Sequence, residues 1–177
     1  MAEAQDDIGD LSRRRHSSGL FELAVVLHEA ITAIRCNDPQ AAIRHIDANM
    51  NQHFGNPYFI FYRARALDML GDCAAASKDY RQASTTGERL RFHDPHYRLA
   101  VLARQQGELM DAAEHIGDAI EIAGPIPDYA LFVAWLRYDM GNLPRAVRIL
   151  DSALEKEPLH PGLRELRERL LVEQYRC

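Results

Sequence analysis

Cysteine is scarce in this 177-residue chain, and its three copies, Cys36, Cys73 and Cys177, are odd in number, far apart and without a CxxC pair. That argues against a disulfide framework or a thiolate zinc site and fits a reducing compartment. No apolar run is long enough and free enough of charge to cross a bilayer, so membrane insertion is not expected. Basic residues are outnumbered, 21 Lys and Arg against 26 Asp and Glu, and the net charge of −5 supplies no bulk positive field for a nucleic acid. GxSxG, P-loop, GxGxxG and HExxH signatures are all missing, and no stretch alternates as a strand would. The first residues, Met1-Ala2-Glu3-Ala4-Gln5-Asp6-Asp7, are acidic where a secretory leader would be basic, and no apolar segment follows. A cytoplasmic location is therefore expected.

What the chain does contain is self-similarity. Four turn anchors, Asn37, Gly71, Gly107 and Gly141, stand 34, 36 and 34 residues apart. Each is a residue that reaches positive φ cheaply and so can end a helix in a left-handed cap. Five residues after each anchor comes an alanine (Ala42, Ala76, Ala112, Ala146), and seven before it another (Ala30, Ala64, Ala100, Ala134). Nine after it stands a larger residue, Ile46, Tyr80, Ile116 or Leu150; twelve after it, Asn49, Ala83, Ala119 or Ala153. The two alanines of a set fall on two antiparallel helices of one hairpin, facing each other where the backbones come closest. A larger side chain there would overpack the contact at about 1–3 kcal/mol.

This pattern resembles the tetratricopeptide repeat family, a 34-residue helix–turn–helix unit, over roughly residues 23–160. The resemblance implies an all-α fold, an alpha-alpha superhelix or solenoid of four hairpins at approximately 23–56, 57–92, 93–126 and 127–160. A capping helix over 161–177 would close its apolar end. The fourth copy matches best, with Ala134, Gly141, Ala146, Leu150, Ala153 and Pro158. Departures are Asn37 and Asn49 in the first copy and Gly124 for the closing proline of the third. Val26, Ile60, His96 and Ala130 stand at the family's first-helix Trp offset, and Arg63 at an offset usually held by Leu.

Helices are expected at about 20–36, 39–53, 57–70, 73–86, 94–106, 109–123, 127–140 and 143–156. Pro39, Pro57, Pro95, Pro127 and Pro144 sit where a first turn accepts proline. Residues 1–19 lack apolar periodicity and read as a disordered arm, whose Arg13-Arg14-Arg15 run is taken as solvated. In the capping segment Leu163, Leu166 and Leu170 recur at three and four, and Glu165 and Arg169 are spaced to pair. His93 and His96 are three apart; His93 is expected to cap its helix and His96 to pack, because a metal would lack its other ligands. Cys36 and Cys73 fall near successive turns, but a redox pair between them is not the expectation. No catalytic residue, cofactor or metal is expected.

The resemblance implies a concave groove lined by the first helices. Its offsets carry over to Tyr58, Phe61, Arg65 and Met69 in the second copy, Tyr97, Val101 and Arg104 in the third, and Leu131, Trp135 and Tyr138 in the fourth. The Tyr, Trp, Met and Arg among them are residue types enriched in protein-binding hot spots. The expectation is a non-catalytic adaptor or scaffold that grips a peptide or protein client, with Phe61, Tyr97 and Trp135 as anchors and Arg65 and Arg104 on a carboxylate or carbonyl. The Lys/Asn clamp by which some members hold a C-terminal carboxylate is replaced by Leu27, Ile31, Phe61 and Arg65. A small secretion chaperone is the alternative, since residues 96–123, including Gln105-Gln106-Gly107-Glu108-Leu109, look similar to the final repeat of such chaperones, which usually have three. An RNA-binding helical repeat is disfavoured by the net charge. Exposed apolar residues of the first hairpin, Phe21, Leu23 and Val25, call for a cover, either the N-terminal arm or another copy, which leaves a homodimer open.

Overall fold

The computed structural model describes residues 22–53 and 55–174, and the expected arm at 1–19 lies outside them. The chain divides into two compact units, up to Thr86 and from Gly87 onward. The first contains α1 (22–35), α2 (Pro39–Asn49), α3 (Pro57–Met69) and all but the last residue of α4 (Cys73–Gly87). The second contains a 3-10 turn at Glu88–Leu90, then α5 (Asp94–Gln105), α6 (Leu109–Ala123), α7 (Pro127–Asp139), α8 (Leu143–Lys156) and α9 (Pro161–Gln174). Among the described residues no strand occurs, and no helix is long and apolar enough to cross a membrane.

One reversal is built four times. At Gly107 φ is +80°, the Gly107 amide donates to the Arg104 carbonyl (3.1 Å), and the Glu108 amide reaches back to the Ala103 carbonyl (2.9 Å). This is the paired bonding of a left-handed helix cap, which uses up carbonyls the helix leaves orphaned. Asn37 makes the same turn at φ +60°, with Asp38 bonding back to Ala33 at 2.9 Å, so the substitution for glycine keeps the geometry. The next residue then caps the following helix: the side chains of Asp38, Asp72 and Asn142 accept from Ala41, Ala75 and Arg145 amides at 2.9, 3.0 and 3.2 Å. At these three turns two residues thus end one helix and start the next, whereas Glu108 makes no side-chain cap for α6.

The turn aims the helices, and the alanines let them meet. All eight alanines at the two repeating offsets are 0% exposed. In the first unit Val26, Ala30, Ile46 and Phe59 pack together, and Ile34, Ala42 and Ala66 form an adjoining group. In the second, Tyr129, Phe132 and Leu136 of α7 pack over Ala100, Ala103, Ala112, Ile116 and Ala119 of the α5–α6 hairpin. The other side of α7 and α8 meets α9, where Ala134, Ala146 and Leu150 pack on Leu163, Leu166 and Leu170. α9 therefore covers apolar surface that the α7–α8 hairpin would leave bare.

Three local expectations change. α2 stops at Asn49, and residues 50–53 form turns, where Asn49, Asn51 and His53 have weaker helix propensity than the residues around them. Asn49, in place of the closing alanine, spends its side-chain amide on the His45 carbonyl (2.8 Å). Arg63, at the offset usually held by Leu, does not disrupt packing: its Nε and one terminal nitrogen fork onto Asp79 at 2.7 and 3.0 Å, and the other reaches Asp47 at 3.4 Å. Asp79 is the one buried charged residue of the described chain, and its hydrogen bond holds the Arg63 pKa above the ordinary value. Finally, Arg169 pairs with Glu173 at 3.8 Å rather than with Glu165.

Because Asp79 is buried, Arg63→Leu is expected to destabilise the first unit by about 3 kcal/mol, as stranding one partner of such a pair does. The double variant Arg63→Leu/Asp79→Leu should recover most of that loss. Urea denaturation of both variants checks this; a double variant at least as unstable as the single one would contradict it.

Candidate functional site

The predicted groove residues do not all reach a surface. On α3, Tyr58 and Met69 are 38% and 39% exposed, and Arg65 is half-buried. Phe61 is only 5% exposed: it stands edge-on to Tyr62 (5.2 Å) and tilted against Tyr80 of α4 (5.7 Å). Phe61 is therefore a packing residue and is corrected from the expected anchor. α3 carries aromatics at 58, 59, 61 and 62, on several sides of the helix, so an offset alone did not distinguish the outward rings.

In the second unit α5, α7 and α9 bring the remaining residues together. Tyr97 stacks on Tyr129 (5.2 Å) and meets Phe132 edge-on (5.6 Å); Val101 packs beside it on the same core. Leu131, Trp135 and Tyr138 are half-buried against the α7–α8–α9 core. The Trp135 ring has two guanidinium neighbours, Arg104 from α5 at 5.4 Å and Arg169 from α9 at 5.2 Å, both within cation–π range. Arg104 Nε donates to Asp139 Oδ2 at 2.5 Å, so the carboxylate that Arg104 holds here comes from its own chain. The Tyr138 hydroxyl donates to Glu173 Oε2 at 2.6 Å, which raises the pKa of that phenol. Two arginines and two carboxylates thus frame one indole with no net charge.

Arg169 and Glu173 were missed as members of this face. Their signal was the Leu163, Leu166, Leu170 stripe, which sets the buried side of α9 and puts Arg169 and Glu173 on its flank. The preceding helix pair offers another arrangement. His96 of α5 and His115 and Asp118 of α6 place one donor atom each within 4.8 Å of one another. His93 does not cap its helix through its side chain; its Nδ1 meets the Tyr129 hydroxyl at 2.5 Å instead. Cys36 and Cys73 are both free thiols, the first exposed and the second half-buried, while Cys177 lies outside the described residues. A separate cleft of about 680 Å³ opens beside α8, with Ile126, Ala130 and Ile149 in its lining and Arg145, Arg148 and Lys156 around them.

No family model matches the chain, and no curated protein does. Solved structures do. The chain is similar to a tetratricopeptide repeat protein from Parabacteroides merdae at 22% identity and a TM-score of 0.71, covering 83% of this chain and 57% of that one. It therefore spans little more than half the length of that protein. A thermophilic TPR protein from Thermus thermophilus matches at 18% identity and a TM-score of 0.72, over 83% of this chain and 80% of the other. MamA from Desulfovibrio magneticus matches at 13% identity and a TM-score of 0.71, over 86% and 85%.

Burial, with smaller contributions from Asp94, Tyr97 and Asp128, pushes the Tyr129 phenol up to about 12. The neutral form is favoured in the fold, so its stabilisation is complete below pH 10 and is lost as pH rises toward 12. Stability is expected to fall across that window by at most about 1.4 kcal/mol per pH unit from this group. Tyr129→Phe should flatten the fall, read by urea melts followed through Trp135 fluorescence; an unchanged pH dependence would refute the assignment.

Proposed function

We propose, from the tetratricopeptide-repeat fold that this chain has, that it is a non-catalytic interaction module binding a polypeptide segment on its first-helix faces. The observation that carries the reading is the α5–α7–α9 face, where Tyr97, Trp135 and Tyr138 present aromatic surface framed by Arg104 and Arg169. Tyr, Trp and Arg are the residue types on which binding energy concentrates, and half-burial against a core holds their rings rigid before a partner arrives. Val101 and Leu131 extend the apolar part. In the first unit Tyr58, Arg65 and Met69 are the corresponding candidates, without Phe61.

Charge favours a polypeptide over a phosphate polymer. Arg104 and Arg169 are each paired with a carboxylate, Asp139 and Glu173, so the face offers no cationic surplus for counterion release. A peptide can exchange those partners: its own carboxylate or carbonyl takes a guanidinium hydrogen while its apolar side chain covers the indole.

Peptides selected from a displayed random library on the full chain provide the probe. Trp135→Ala and Arg104→Ala are each expected to weaken binding of the selected peptides about tenfold or more, as hot-spot truncations do, measured by anisotropy of labelled peptide. Variants that keep their helical circular dichroism and melting transition yet bind with unchanged affinity would remove this face from the account.

A further inference from the structure

We propose that His96, His115 and Asp118 form a binding site for one divalent transition-metal ion of the zinc class. His115 and Asp118 lie three apart on α6 and so share a face of that helix, and His96 comes from α5, the other arm of the same hairpin. His96 Nδ1 stands 3.3 Å from Asp118 Oδ2, and the three donor atoms lie within 4.8 Å of one another. A tetrahedral ion with bonds of about 2.0–2.1 Å needs donors about 3.3–3.4 Å apart. The first pair already has that spacing, and the third donor, within 4.8 Å of both, has to close by at most about 1.5 Å to reach it.

Composition of the group points the same way. Two imidazoles and a carboxylate are the donor set that suits zinc and its neighbours rather than magnesium or calcium, and three protein ligands leave a fourth position for water or a partner's side chain. The histidine Nδ1 atoms are both buried while the Asp118 side chain is 44% exposed, which gives the ion a route in from solvent on one side. Nδ1 of His96 faces the carboxylate at 3.3 Å without hydrogen-bonding geometry, an arrangement that wants a bridging cation. The site is also particular to one hairpin. At the offset of His96 the other copies carry Val26, Ile60 and Ala130, and at that of Asp118 they carry Ala48, Gln82 and Ser152.

A bound ion would tie α5 to α6. It would not change oxidation state, so the chemistry is coordination alone: two neutral imidazole nitrogens and one carboxylate oxygen replace three waters of the hydrated ion.

The test titrates zinc chloride into the full, untagged chain with Cys36, Cys73 and Cys177 replaced by serine, so that thiols do not contribute. Calorimetry is expected to give one zinc per chain with a dissociation constant of about 10 µM or tighter, with a saturable rise in melting temperature. Cobalt should give the visible bands of a low-coordinate site. His96→Ala, which installs the residue native at the equivalent position 130, and His115→Ala should each weaken zinc binding about tenfold or more. Zinc-free melting of each variant shows that it folds. An absence of stoichiometric binding in the cysteine-free chain, or binding that survives both substitutions, would overturn the proposal.

Discussion

Two backbones can approach closely only where neither carries a bulky side chain, and that constraint governs the rest of this molecule. The eight alanines at the repeating offsets are buried without remainder, and the left-handed turns between them fix which faces are brought together. Once a hairpin is closed that tightly, the larger residues nine positions past the turn, Ile46, Tyr80, Ile116 and Leu150, are withdrawn from solvent. Burial of those side chains supplies the apolar free energy; the alanines supply the geometry that makes it collectable.

Backbone geometry is what the amino-acid sequence made legible. A residue tolerating positive φ, a short carboxylate or amide next to it, and an alanine on each arm are local signals with a single structural meaning, so helix ends fell within a residue or two in most places. Side-chain partnership was much less legible. Phe61 and Tyr58 are three apart on one helix, yet one is 5% and the other 38% exposed, because Tyr80 on a different helix claims the first ring. Arg169 chose Glu173 over Glu165 although both spacings are permitted. His93 found the Tyr129 hydroxyl across 36 residues. Long side chains sweep a wide arc, and which neighbour they meet is decided by elements distant in sequence.

Two arginine–carboxylate pairs illustrate how charge is balanced as it leaves the solvent. Arg63 satisfies Asp79 with a fork of two hydrogen bonds, so a buried carboxylate is tolerated next to an apolar core. Arg104 and Asp139 repeat the pairing in a half-exposed setting, where water and a partner can compete for either group. The chemistry is the same and the consequence differs: desolvation makes the first pair a fixed element of the fold, whereas exposure makes the second exchangeable.

Departures from the repeat can be sorted by whether they are compensated. Arg63 breaks the pattern at a leucine offset, and the break is closed completely by Asp79 and Asp47 within the same unit. Asn37 breaks it at a glycine offset and closes it by adopting the same positive φ. His96 breaks it at an offset otherwise filled here by Val, Ile and Ala, and the closure is partial: a carboxylate at 3.3 Å with the wrong alignment and a second imidazole nearby. Local rules that fail and are repaired are structural variation. A rule that fails while leaving coordination capacity gathered at one point is where a sequence carries chemistry beyond its fold.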